Sequence, residues 1–294
     1  MKTIKLVLLA LLSITVSACG GGGGNNLGIS APTAPIIINT TDATQIKNIT
    51  AAALSTAMGS TFDAFNPTNL SNVIINSFNT GVTNTSCAVG SMDITIDVFF
   101  GTGTIKYNDC LDSFGNTFNG TVSLANMVFS QNPNPDSFSA SVTFNDITVT
   151  GPSTVTLSGG YEINATGLNF PPKIISATGT NAHLKLISNG QANEIYDFNF
   201  YSEISPGFLT TDTHIFTLAS SALGGSILYA TSNLIPFETF SASTHPSTGE
   251  ATIMGGDPSQ LLLSASLTQV QVSTSTTGGT FVPFTAYTWA ELNL

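Results

Sequence analysis

Three kinds of residue in this chain are equipped for chemistry: cysteines, histidines and paired carboxylates. The histidines, His183, His214 and His245, stand 31 residues apart in both intervals. Imidazole is a common transition-metal ligand, so equal spacing invites a metal set or a repeat. The flanks Asn-Ala-His-Leu-Lys, Asp-Thr-His-Ile-Phe and Ser-Thr-His-Pro-Ser do not match, which makes the spacing a coincidence, and no metal ligand is assigned. Asp93 and Asp97 share one strand face, but four residues of strand hold them about 13 Å apart. A glycosidase pair works at roughly 5–9.5 Å. The Gly-rich tip from Ser273 to Thr280 has no carboxylate for a calcium ion, which wants six to eight oxygens. The nucleophile elbow, the zinc-protease helix, the Walker A loop and the EF-hand loop are all missing. No catalytic residue and no cofactor are therefore expected. Tyr201, Tyr229, Tyr287 and the single Trp289 have faces that stack on sugars, yet isolated aromatics in strands read as packing.

The cysteines say more. Cys19 closes a segment that starts Met1-Lys2-Thr3-Ile4-Lys5, continues with an apolar run from Leu6 to about Val16, and ends Val16-Ser17-Ala18-Cys19. Positive start, short apolar stretch and small residues make a secretory signal. The run is shorter than the roughly 20 residues that span a bilayer. Val16-Ser17-Ala18-Cys19 resembles the lipobox of bacterial lipoproteins. The resemblance implies that residues 1–18 are a signal peptide, that Cys19 is lipidated, and that the mature chain begins there. Gly20, where an Asp would signal retention, implies passage to the outer membrane. Two or three acyl chains make a stable anchor where one binds only marginally. Residues 19–36, opening with five glycines from Gly20, read as a tether of the domain to that membrane. In an oxidising periplasm the remaining pair, Cys87 and Cys110, reads as a disulfide.

Composition removes other classes. The chain has six Lys, no Arg and a net charge of −11. Loss of Lys2 and Lys5 with the signal leaves four Lys against 17 carboxylates, a balance of −13. Nothing is available to neutralise phosphates, so nucleic acid is not an expected partner. With 41% hydrophobic residues, including 19 Phe, the chain can bury a large core.

The positioning elements fall into two groups. Between 37 and 82 apolar residues recur at helical spacing: Ile46, Ile49, Ala53 and Leu54 after a cap at Thr41 or Asp42, then Leu70, Val73, Ile74 and Phe78 after Asn66-Pro67-Thr68. Two short helices packing on a sheet are expected there. From 83 to 294 the period is two, as in Met92/Ile94/Ile96/Val98 and Leu261/Leu263/Ala265/Leu267. Asn119-Gly120, Gly159-Gly160, Asn189-Gly190, Gly224-Gly225 and Gly255-Gly256 mark turns. A break of parity between Phe144 and Ile147 predicts a bulge at Asn145-Asp146. The expected fold is mainly β: a large antiparallel meander of about 11–13 strands, open barrel or sandwich, with a short helical N-terminal segment. The functional expectation is a non-enzymatic envelope module that binds a protein or an apolar ligand. A periplasmic lipid carrier and a hydrolase with scattered residues are the alternatives. An apolar cavity favours the carrier, converging histidines the hydrolase, and neither the binding module.

Overall fold

The computed structural model describes residues 29–58, 67–80, 87–112, 115–130, 135–151, 154–207, 209–241 and 243–294. Cys19, with the signal and most of the tether, lies outside the described residues, as does the side chain of Phe78. Helix α1 covers Ala43–Ala57, and Asp42 caps it by accepting hydrogen bonds from the amides of Thr44 and Gln45. Helix α2 covers Pro67–Thr80 and begins on a proline, whose missing N–H costs nothing at that position.

Fourteen strands follow: β1 Val89–Asp97, β2 Thr102–Leu111, β3 Thr117–Phe129, β4 Phe138–Thr150, β5 Thr154–Thr166, β6 Lys173–Ser188, β7 Gln191–Ile204, β8 Leu209–Ser220, β9 Gly225–Thr231, β10 Phe237–Phe240, β11 Glu250–Met254, β12 Gln260–Ala265, β13 Gln269–Ser275 and β14 Val282–Thr288. All belong to one antiparallel sheet that runs in sequence order from β1 to β14, with β10 stepping aside to pair with β8. One open sheet in sequence order is the expected meander. Alternation works as expected along β4, where Phe138, Ala140, Val142 and Phe144 are buried and point one way.

A row of β-bulges bends the sheet. Registers slip at Asp109 in β2, Gly120 and Asn126 in β3, Asp146 in β4, Gly159 in β5 and Asp197 in β7, and each of these residues has a positive φ. Asp, Asn and Gly tolerate that backbone best, and a bulge adds bend and right-handed twist. The bulge at Asn145-Asp146 is where the parity break placed it. Asn119-Gly120 and Gly159-Gly160, by contrast, are not turns but lie inside β3 and β5. Glycine within a strand marks a bulge as readily as an end. Asn189-Gly190 is a true hairpin turn with both φ angles positive.

The bent sheet closes around one core. Side chains from β1 to β13 join Ile46, Ile49 and Leu54 of α1 and Leu70 and Ile74 of α2 in a single buried cluster. Helix α2 packs on β5 and β6, and α1 on the short helical turn Ala290–Leu292 after β14. Lys173 of β6 ties α2 down by donating to the side chain of Asn72 at 2.6 Å. No helix of the described residues is long and apolar enough to cross a membrane.

Candidate functional site

Cys87 and Cys110 are bonded, with Cα atoms 5.1 Å apart, and fasten the chain before β1 to the end of β2. The histidines do not meet. His183 stacks on Tyr196, His214 lies edge-on to Phe200, and His245 stacks on Trp289. Among the described residues no three His, Cys, Asp or Glu side chains gather as a metal site. Asp93 accepts from Asn108, and Asp97 caps a turn. Tyr229 and Trp289 are buried, and the Trp289 indole donates to the carbonyl of Ser266 at 2.9 Å. Tyr201 donates to Glu203, and Tyr287 to the carbonyl of Ala43.

The N-terminal strap, residues 29–38, is a feature the sequence did not announce. Residues 29–36 were expected in the tether, but here they belong to the fold. Ala31 packs with Ile187, Ala192 and Ala219 on the outer face of the sheet, and its amide donates to Glu194 at 3.1 Å. Glu194 faces Lys185 at 3.6 Å and accepts the Tyr196 hydroxyl. Burial pushes the Glu194 carboxyl up, but the bonds from Tyr196 and Ala31, with Lys185 and His183 nearby, outweigh it and hold it below the ordinary value. Tyr196 is in turn pushed up to about 12 by burial and by that carboxylate. Next the strap runs parallel to the start of β9, through Ser226 N to Ala34 O and Ile36 N to Ser226 O. Gly256 N then donates to Ile36 O, and Ile38 joins the inner core. The chain thus passes from the outer to the inner face through a notch between β9 and the β11–β12 turn. Glycine makes the notch possible: a Cβ on Gly225 would lie 2.5 Å from Ala34 O, and one on Gly255 2.2 Å from Ile36 O. Sequence reading took these glycines only as turn markers.

A second polar group faces inward where β7 and β8 pair. Ser202 donates to Asp212, and Asp212 lies two residues from His214 on the same face. The residue types match a nucleophile set, but the serine proton goes to the carboxylate rather than to an imidazole. The buried His214 Nδ1 has no partner, and burial holds its pKa below the ordinary value. An open depression of about 340 Å³ lies over the bulges, lined by Val142, Thr143, Tyr161, Glu162, Thr178 and His183 among others.

The most distinctive surface is one end of the sheet. In a meander, alternate connections fall at the same end, and here those are β1–β2, β3–β4, β5–β6, β7–β8, β9–β11 and β12–β13. At this rim large apolar side chains stand in the open: Phe99 is 95% exposed, Phe100 82%, Phe170 77%, Leu234 93% and Leu267 53%. Val98 and Leu267, which alternation placed in strands, are turn residues at this rim. Side chains pin several of these turns. Asp97 accepts from the amides of Phe99 and Phe100 at 3.0 and 3.1 Å. Ser232 accepts from Leu234 and Ile235, both at 3.3 Å, and Ser266 from Gln269 at 3.3 Å. Asp136 accepts from the Asn169 amide, beside Phe170, at 3.1 Å.

The chain matches no known protein family, no characterised protein and no solved structure.

Geometry alone therefore speaks for the site. At the rim the amides of Phe99, Phe100, Leu234 and Ile235 are satisfied by side chains of their own turns while the apolar side chains stand exposed, an arrangement suited to burial against an apolar partner.

Proposed function

We propose that this chain is an outer-membrane lipoprotein, anchored by an acylated Cys19, whose curled sheet is a non-enzymatic binding module working through its apolar rim. The observation that carries the reading is the set of pinned turns that thrust Phe99, Phe100, Phe170 and Leu234 from one end of the sheet. The filled inner face favours a binding module over a carrier, because side chains of 13 strands and two helices would have to part to admit a ligand. The separated histidines, and a Ser202 that gives its proton to Asp212, favour it over a hydrolase.

Two measurements test the reading. Intact mass of the mature protein from membranes is expected to show acyl groups on an N-terminal Cys19, and Cys19→Ser behind an ordinary cleavable leader is expected to leave the chain in the soluble periplasm. Photo-crosslinking residues at positions 100, 170 and 234 are expected to capture a partner in cells, while one at Val282, at the other end, captures none. An unmodified, soluble wild-type chain removes the anchor; equal capture from both ends removes the rim.

A further inference from the structure

We propose that the depression over the bulges is a second binding site, independent of the rim, and that its ligand is a neutral sugar ring. The bulges open the space. Registers slip at neighbouring levels from β4 to β8, and no residue of β6 pairs with Gly160 or Tyr161 of β5. Tyr161 is buried and points inward, so Gly160 and Glu162 point outward. Gly160 thus leaves one outward position without a side chain, directly across from Thr143 of β4. A Cβ there would lie 2.2 Å from Val142 O, so the bulge itself keeps the position bare. The depression over it measures about 340 Å³, at the lower end of the roughly 300–1,000 Å³ typical of ligand sites.

Its walls are held in place before any ligand arrives, which lowers the cost of binding one. Asn126 donates to Ser141 Oγ at 3.0 Å, and Ser141 donates to Glu162 at 2.9 Å. That relay fixes one carboxylate oxygen and leaves the other without a hydrogen-bond partner among the described residues. The His183 ring stacks on Tyr196 of β7, with centroids 5.4 Å apart, and the Tyr196 hydroxyl is tied to Glu194. Since Tyr196 lies on the β7 side, the free face of the imidazole is turned toward β5 and the depression that it lines. Neither nitrogen of that ring has a hydrogen-bond partner among the described residues. Thr143 and Thr178 add hydroxyls that donate or accept.

The ligand class follows from what these walls offer and lack. An anion needs a cation, and Lys185, two residues from His183 on the same face, is engaged by Glu194 at 3.6 Å. A calcium-like ion needs several carboxylates, and Glu162 is not joined by two further metal-ligating side chains. An apolar ligand needs enclosure, and this depression is open to solvent. A sugar ring meets the whole set: its C–H face lies on the flat imidazole, and its hydroxyls, each both donor and acceptor, reach the carboxylate and the two threonines.

Saturation-transfer NMR tests the assignment on the exported Cys19→Ser chain, with glucose, galactose, N-acetylglucosamine and cellobiose at millimolar concentration. At least one is expected to give signals, strongest at the ring C–H protons. Glu162→Gln and His183→Ala are each expected to weaken binding roughly tenfold, as the loss of one charge-assisted bond or one stacking face implies. Thr178→Tyr, which fills the depression, is expected to abolish it, and Phe100→Ser at the rim to leave it unchanged. Unaltered thermal melting shows that the variants fold. Silence from all four sugars overturns the proposal, and so do signals that survive the three wall variants. Binding of choline that Glu162→Gln removes, with the sugars silent, makes the ligand a cation and overturns it as well. Sugar signals that vanish with Phe100→Ser but not with the wall variants move the contact to the rim.

Discussion

Glu194 is the residue on which the strap turns. It is 4% exposed and is engaged at once by Lys185, the Tyr196 hydroxyl and the Ala31 amide. Glu194→Ala leaves Lys185 without its partner in a nearly dry site and is expected to cost about 3 kcal/mol in urea unfolding. The same variant is expected to speed amide exchange in residues 30–36, and unchanged exchange there would detach the strap from Glu194. Titration adds a pH signature. His214 has a folded pKa below its ordinary 6.5, so the unfolded state takes up the proton first and stability falls as pH drops below about 6.5. Glu194 has a folded pKa below its ordinary 4.5, so its contribution is present above that pH and is lost on further acidification. Urea midpoints against pH are expected to show both declines, with His214→Gln removing the upper one and Glu194→Gln the lower. The disulfide is the other residue-scale prediction. It closes a loop between positions 23 apart, and Cys87→Ser with Cys110→Ser is expected to cost about 3 kcal/mol. Thiol labelling of the native mature protein is expected to fail, and two labelled thiols would contradict the bond. The pair was legible in the sequence because cysteines are scarce and the leader implies an oxidising compartment. Glu194 was not, because its partners come from an adjacent strand and from a segment 163 residues away.

At the scale of elements, the bulges shape the sheet, and each tolerates only certain residues. A Cβ on Gly159 would lie 1.8 Å from the carbonyl of His183, at a φ of +103°, so Gly159→Ala is expected to lower stability by more than any exposed substitution, on the order of 3 kcal/mol. Asp146, at a φ of +48°, is expected to accept Gly with little change, and Asp146→Val to cost about 1–2 kcal/mol. Thermal melting of the three variants checks the order. Alternation and helical spacing revealed most elements, including the bulge at Asn145-Asp146, and of the two expected cap residues, Thr41 and Asp42, it is Asp42 that caps α1. They failed where glycine carries two meanings. Gly120 and Gly159 bend long strands, and reading them as ends hid how far β3 and β5 continue. They also failed at strand ends, because an apolar residue in phase looks the same whether it enters the core, like Leu263, or a solvent-facing turn, like Leu267.

For the whole molecule, the open meander was legible because the pattern of one long antiparallel series survives local errors. The rim was not, because it depends on which connections share an end, a property of topology rather than of any one segment. The strap has a consequence in time. Its hydrogen bonds reach Ser226, Gly256 and Asp257, about two hundred residues downstream, while most of the sheet pairs strand with following strand. A chain exported from its N-terminus delivers the strap first and its docking groove nearly last. Throughout that interval the stretch beside Cys19 has nowhere to dock, and on the lipoprotein reading that is when the leader is cut and the cysteine acylated. On that reading seating follows maturation: the notch over Gly225 and Gly255 closes on the strap only when the far strands arrive.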